Sequence, residues 1–316
     1  MRTAVPMTVL ATALACSLAT APAHARARTF VASYGNDANP CTFGSPCKTF
    51  QQAVNVVDPG GEVTAIDSAG FGPININKTV TITSPAGIEA GIVPADPSAN
   101  AIDVISATAT DTIVLRGLTL QSAGGGAIGV HALTGAAIEI VDCTVRGFST
   151  GIDIASENAL SVVISNTLVA DNGYGIFLNT ALGTIHAALD GIRSNNNGVG
   201  IAVQNGSGGY VLQTTITNSH LDNSATTGLL AVGTGGNNFT LLKNVSISQT
   251  PTGISMNGGS AVYLSQVVLD SYNGEFTAIS FNGNTSTNVA YRDGTNHIGV
   301  GMGGGATLTA WNSNLH

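Results

Sequence analysis

A glycine, an aliphatic residue, one free position and a second apolar residue recur along this chain. The phrase reads "GIDIA" from Gly151, "GIFLN" from Gly175, "GIAVQ" from Gly200, "GLLAV" from Gly228 and "GISMN" from Gly253. Aligned on its first residue and extended through Ala127, Ala278 and Gly299, it repeats at spacings of 24, 24, 25, 28, 25, 25 and 21 residues. A second apolar column keeps the same period: Leu115, Ile140, Ile164, Leu189, Ile216, Leu242 and Leu264. Three residues beyond each come Leu118, Cys143, Thr167, Ile192, Ser219, Val245 and Val267. The period-2 alternation inside each piece marks a short strand with one buried face. A strand of three to five residues cannot bury that face alone, but identical pieces stacked coil on coil can. The expected architecture is therefore an all-β parallel solenoid. It has three short strands and three bends per coil and about ten coils over residues 61–305.

The columns assign roles. Ile152, Ile176, Ile201, Leu229 and Ile254 are expected to stack in one buried row. The glycine before each sits at a tight bend, where a positive φ would favour it. Cys143, in an interior column between Leu118 and Thr167, reads as a buried free thiol. The column Gly117, Asp142, Asn166, Gly191, Asn218, Asn244 and Gln266 reads as an inward-turned amide ladder.

The ends read differently. Residues 1–25 carry Arg2, an alanine-rich apolar run and the small-residue ending "APAHA", the pattern of a secretory signal peptide. The apolar run is shorter than the ~20 residues of a membrane span, and the residues before Cys16 fit a lipoprotein signal poorly. Residues 26–60 form a cap. In it "KTFQQAVNVVDPGG" places Phe50, Ala53, Val54 and Val57 on one face of a short helix that plugs the first coil. Residues 306–316 form a C-terminal capping segment. Cys41 and Cys47 bracket "TFGSP"; in an exported chain the pair reads as a local disulfide. Metal ligation is the lesser alternative for want of a nearby His or third Cys.

Charge narrows the function classes. Only 9% of residues are charged, against ~25% in an average protein, and the formal net charge is −8. Isolated Lys and Arg in an acidic chain leave no basic patch for nucleic acid or anionic lipid. The expected product is a secreted or periplasmic monomer without a membrane span.

The coil pattern, with the opening "TFVASYGNDANPCTFGSPCKTFQQAVNVVDPGGEV", resembles the right-handed parallel β-helix proteins of the pectate-lyase-like superfamily, and in particular a bacterial exported subgroup without assigned activity. The resemblance implies a right-handed solenoid and a polysaccharide partner held along its groove. If there is catalysis, it implies chemistry like that of a polysaccharide lyase or a glycoside hydrolase. The superfamily's adjacent Asp-Asp, "NTD", "GHG", "RIK", "WIDH" and "DPHE" motifs are absent from this sequence. A non-catalytic structural or surface-interaction module is the alternative.

The densest charged spot that coil alignment builds is Arg146 with Asp171 on the next coil and Asp153 across the bend; a solvated ion pair between coils, worth ~0–1 kcal/mol, is the alternative to a site. Arg146 would neutralise a uronate or take a proton. The carboxylates would hold a cation such as Ca²⁺, which accepts oxygen ligands. No other cofactor is implied. Arg193 and His220 share a further column.

Overall fold

A computed structural model describes residues 26–310, except 106, 156, 181, 207–209, 235–236, 271–275, 283–288, 293–294, 299–301 and 304–307. The signal-peptide reading of residues 1–25 lies outside the described residues, as does the C-terminal capping segment apart from the strand Leu308–Ala310.

Every strand pairs in parallel with its equivalent one coil away, which makes three ladders. The first begins in the cap, where Arg28–Val31 pairs with Gly61–Ala65, and continues through Val80–Thr83, Thr112–Arg116 and Ala137–Val141. The segment expected to act as a cap thus contributes a rung to this ladder. The third ladder runs from Ile74–Ile76 through Ile102–Val104 to Met302–Gly303. Coils that begin at Val80, Thr112, Ala137, Leu160, Ile185, Val211, Asn237 and Ser260 carry all three strands in full, which makes about eight turns. An abbreviated coil with two-residue strands lies at each end. Among the described residues the third ladder therefore has ten rungs.

The interior follows the columns. Ile152, Ile176, Ile201, Leu229, Ile254 and Ile279 lie in unbroken register, each fully buried. Burying such a side chain is worth roughly 1.5–3 kcal/mol, and the stack repeats that gain on every coil. Cys143 is free and 3% exposed, and burial pushes its thiol up to about 11.

The glycine column has a different cause from the one expected. None of Gly151, Gly175, Gly200, Gly228 and Gly253 has a positive φ. A Cβ on Gly151 would meet the carbonyl oxygen of Gly175 at 2.7 Å, one on Gly175 that of Gly200 at 2.4 Å, and one on Gly200 that of Gly228 at 2.6 Å. Each glycine is required because the next coil's backbone lies against it.

The amide column also differs. Asp142, Asn166, Asn218, Asn244 and Gln266 all have φ between 49° and 55°, and all are exposed. They turn the corner between the first two ladders in the left-handed conformation that Asn and Asp tolerate best. Their side chains stand outside, where Asn244 Nδ2 donates to Asn218 Oδ1 at 2.8 Å and Asn218 Nδ2 to Asp190 Oδ1 at 2.7 Å. The inward amides lie at the next bend. Buried Asn172 donates from Nδ2 to Asn197 Oδ1 at 3.0 Å, and Asn197 donates to the Val169 carbonyl at 3.0 Å.

The expected helix spans Phe50–Val56, with Thr49 as its N-cap accepting from the Gln52 amide. Phe50, Ala53 and Val54 are buried, and the Phe50 ring lies 5.0 Å from that of Phe71, so the helix closes the first coil. Cys41 and Cys47 are disulfide-bonded across a Cα separation of 4.6 Å. Among the described residues, no helix is long and apolar enough to cross a membrane.

Candidate functional site

In the strand Thr144–Ala155, alternation sends Ile152 and Ile154 inward and Asp153 outward. The outward column of the third ladder then reads Asn75, Asp103, His131, Asp153, Phe177, Ala202, Leu230, Ser255 and Ser280, in register from coil to coil. Asp103, His131, Asp153 and Phe177 bring chemistry together. His131 Nδ1 lies 3.2 Å from Asp103 Oδ1, and His131 Nε2 lies 4.0 Å from Asp153 Oδ2. Asn100 donates from Nδ2 to Asp103 Oδ1 at 2.7 Å. The imidazole is therefore held between two carboxylates on successive coils, about one 4.8 Å strand spacing to either side.

Asp153 is the unusual member. Its side chain is 15% exposed, and its Oδ1 is buried without a hydrogen-bond partner. Burial raises its pKa above the ordinary carboxylate value, and the neighbouring His131 opposes this only in part. A carboxyl with a raised pKa is a stronger base when ionised and can return the proton it takes, so Asp153 accepts hydrogen bonds as a carboxylate and is suited to proton exchange. An imidazole whose Nδ1 faces a carboxylate is fixed in orientation, which leaves Nε2 for proton transfer.

The next coil adds an aromatic platform. Phe177 is Asp153's neighbour in register, and the Tyr174 ring stacks on Phe177 at 5.6 Å with the planes 30° apart. Tyr174 is 39% exposed. Beyond Phe177 the column carries no titratable group.

Of the three residues chosen from the sequence, only Asp153 belongs to this group. Arg146 lies on the outer face of the second ladder, in register with Gln121 and Ala170, and its Nε is buried without a hydrogen-bond partner. Asp171 follows Ala170, so the coil adjacency read from spacing holds. Yet Asp171 sits in the left-handed region at φ 59°, exposed, and accepts a 2.7 Å hydrogen bond from Asn196 Nδ2. It is a corner residue in a column with Asn196, Asn223 and Gln249. Among the described residues, neither Asp171 nor Asp153 forms an ion pair with Arg146. Asp153 and Asp171 belong to different elements, one on the third ladder and one at the bend before it. Among the described residues, no group of three or more His, Cys, Asp or Glu side chains is arranged to hold a metal ion. The Ca²⁺ expectation therefore finds no converging ligand set.

Coil alignment missed His131 for a specific reason. Arg146 pairs with Gln121, but Phe148 pairs with Gly126. Three extra residues thus enter the bend of the preceding coil, and Val130, not Ile128, meets Ile152. The alignment had placed Gly129 opposite Asp153. A slide of two residues preserves the in–out alternation, so nothing in the apolar pattern exposes it. The signal was nevertheless present: "GVHA" from Gly129 and "AIDV" from Ala101 are both versions of the repeating phrase.

A weaker cluster lies on the second ladder. Arg193 pairs in register with His220, and Asn195 with Asp222, along a cleft of about 390 Å³. His220 Nδ1 is engaged by Ser246 Oγ at 2.7 Å, and Asp222 accepts from Ser248 Oγ at 2.7 Å.

No family model matches the chain, and no curated protein sequence matches it. Solved structures do. The pectate lyase Pel9A superposes with a TM-score of 0.55 at 14% identity, over 91% of this chain and 80% of that one. XylC, in its complex with xylose, gives 0.50 at 9% identity over 80% and 68%. The GH136 lacto-N-biosidase from Eubacterium ramulus gives 0.51 at 11% identity over 90% and 68%. At such identities the likeness establishes a shared parallel β-solenoid fold.

Proposed function

We propose that this chain is an exported carbohydrate-binding β-helix, and that its contact face is the outer side of the third ladder around Asp103, His131, Asp153, Phe177 and Tyr174. The observation that carries this reading is the aromatic pair set one coil from a polar column. Sugar rings offer an apolar C–H face to aromatic rings and hydroxyls to carboxylates and imidazole, and here both partners lie on one strip. The Asp153 side chain keeps 15% of its surface open on this strip, where a ligand hydroxyl can meet it. The fold-level likeness to proteins described as a pectate lyase, a lacto-N-biosidase and a xylose complex agrees with a glycan ligand. Export is supported by the leader-like residues 1–25 and by the disulfide.

Asp153 is the member of the sequence-derived trio that this reading keeps at its centre. Arg146 and Asp171 flank it around the bend. If cleavage accompanies binding, Asp153 is the group suited to give a proton to a leaving oxygen, and His131, oriented by Asp103, the group suited to accept one.

The test is a polysaccharide panel, with binding followed by affinity electrophoresis and cleavage by new reducing or unsaturated ends. At least one glycan should bind, and Tyr174→Ala with Phe177→Ala should weaken it at least tenfold. Absence of binding across neutral and acidic glycans would leave the non-catalytic structural module, which the uncharged column from Ala202 to Ser280 favours.

A further inference from the structure

We infer that the third-ladder face selects uncharged sugars and rejects uronates, with Asp103 and Asp153 as the residues that set this specificity. The inference rests on the carbohydrate reading above and names its substrate class.

The first observation is the charge inventory of the face. The third-ladder segments Ile102–Val104, Tyr174–Thr180, Val199–Asn205, Thr227–Gly233, Thr252–Asn257 and Thr277–Asn282 contain no Lys or Arg, and neither do residues 128–132 and 150–155. Two carboxylates stand in the outward column, one coil to either side of a single imidazole. Arg146, the guanidinium nearest in sequence, lies on the second ladder.

The second observation is how the polar groups are already used. Asp103 is engaged by Asn100 and His131, and His131 turns one ring nitrogen to each carboxylate, so its polar atoms already face the protein. A uronate carboxylate stacked beside Phe177 would lie about one strand spacing from Asp153, among described third-ladder strands that hold no Lys or Arg to meet it. In a half-buried setting such like-charge contact is poorly screened, and it also costs the desolvation of the incoming anion. A neutral sugar suffers neither loss. Its hydroxyls donate to the Asp103 and Asp153 oxygens, and its C–H face covers the Tyr174–Phe177 stack. The formal charge of −8 adds a general repulsion of acidic polymers, so the test must separate local from global charge.

A polymer pair that differs only in charge does this: polygalacturonate and its fully methyl-esterified form, with a xylan and a galactan as further neutral probes. Dissociation constants are measured for the full mature chain at low and moderate salt. The neutral forms should bind at least tenfold tighter than polygalacturonate. Asp103→Asn with Asp153→Asn should narrow that gap by strengthening binding of the acidic polymer. Glu89→Gln with Glu139→Gln removes the same charge outside the third ladder, Glu139 from a first-ladder strand and Glu89 from just before a second-ladder strand, and should leave the gap unchanged. Equal or preferential binding of polygalacturonate by the unaltered protein would overturn this inference and leave the carbohydrate reading standing. If the control pair narrows the gap as much as the Asp103 and Asp153 pair, local selection is likewise refuted. No binding to any polymer would overturn the carbohydrate reading and this inference with it. Asp153→Asn changes little volume; if the pair reduces folding by circular dichroism, Asp103→Asn alone carries the comparison.

Discussion

Replacing Gly175 by alanine tests why the repeating phrase begins with glycine. The added Cβ would lie 2.4 Å from the Gly200 carbonyl oxygen and 3.0 Å from Asn197 Nδ2. Carbon–oxygen contacts between strands settle near about 3.4 Å, so the two coils must part locally by roughly 1 Å, set against a rung spacing of ~4.8 Å. Such overpacking costs about 1–3 kcal/mol, and one or two weakened ladder hydrogen bonds add about 1 kcal/mol each. Alanine's smaller unfolded-state entropy returns about 0.5–1 kcal/mol. The net loss should be about 1–4.5 kcal/mol, a large part of the ~5–15 kcal/mol that holds a typical domain folded. Gly70→Ala is the control, because nothing lies within 4 Å of its added Cβ and its φ is not positive; it should be neutral or slightly stabilising. Urea unfolding by far-ultraviolet circular dichroism measures the difference. Limited proteolysis accompanies it, because a solenoid can open coil by coil without unfolding as one unit. If Gly175→Ala is as stable as Gly70→Ala and equally resistant to protease, close approach is not what the glycine column serves.

Mass spectrometry of the non-reduced protein should find Cys41 joined to Cys47. Native Cys143, its thiol pushed up to about 11 by burial, should resist iodoacetamide until the chain is unfolded; rapid native labelling would contradict the buried position. Asp153→Asn should gain stability relative to the unaltered protein as pH rises. Burial raises the folded-state pKa, so native Asp153 binds its proton more tightly than the unfolded chain does. The stability tied to that proton is full below the unfolded value of ~3.9 and is lost as pH rises through the folded one. Thermal unfolding from pH 3 to 8 reads this, and a variant that loses stability relative to the unaltered protein as pH rises would refute it. Asp111→Ala should show the opposite trend. Desolvation opposes ionisation of Asp111, but hydrogen bonds from the amides and hydroxyls of Thr108 and Thr79 together lower its pKa. The stability is then present above the unfolded pKa and lost as pH falls through the folded one. The variant should be about 1–2 kcal/mol less stable at pH 7 after allowance for solvent screening, with the deficit closing in acid.

How much of this molecule was legible depends on which physical quantity each residue answers to. The row from Ile152 to Ile254 was readable because burial needs only residue type, alternation and a nearly constant period, and small errors in register leave those intact. The helix Phe50–Val56 was readable for the same reason, with Pro59 and Gly60 as its stop. The glycines were readable as positions but not as causes: a left-handed bend and a close approach both call for glycine, and only the 2.4–2.7 Å approach of the next coil's carbonyl separates them. The amide column was placed in the right bend and on the wrong side. Asn tolerates the left-handed conformation whether its side chain then points inward or outward, and the inward role went to Asn172 and Asn197 one bend later. Asp171 shows the same limit, since spacing set its coil but not its engagement by Asn196. The candidate site was the least legible part because it exists only across coils. No single coil contains more than one of Asp103, His131, Asp153 and Phe177, so the group forms only if every intervening insertion is counted correctly. Three extra residues in one bend were enough to put Gly129 where His131 stands. In a solenoid the core therefore survives a two-residue slide, while an outward cluster does not. A chemistry-bearing residue at the free position of any version of the phrase is best tested against all registers of equal parity. Applied to "AIDV" and "GVHA", that test places Asp103 and His131 in the same outward column as Asp153.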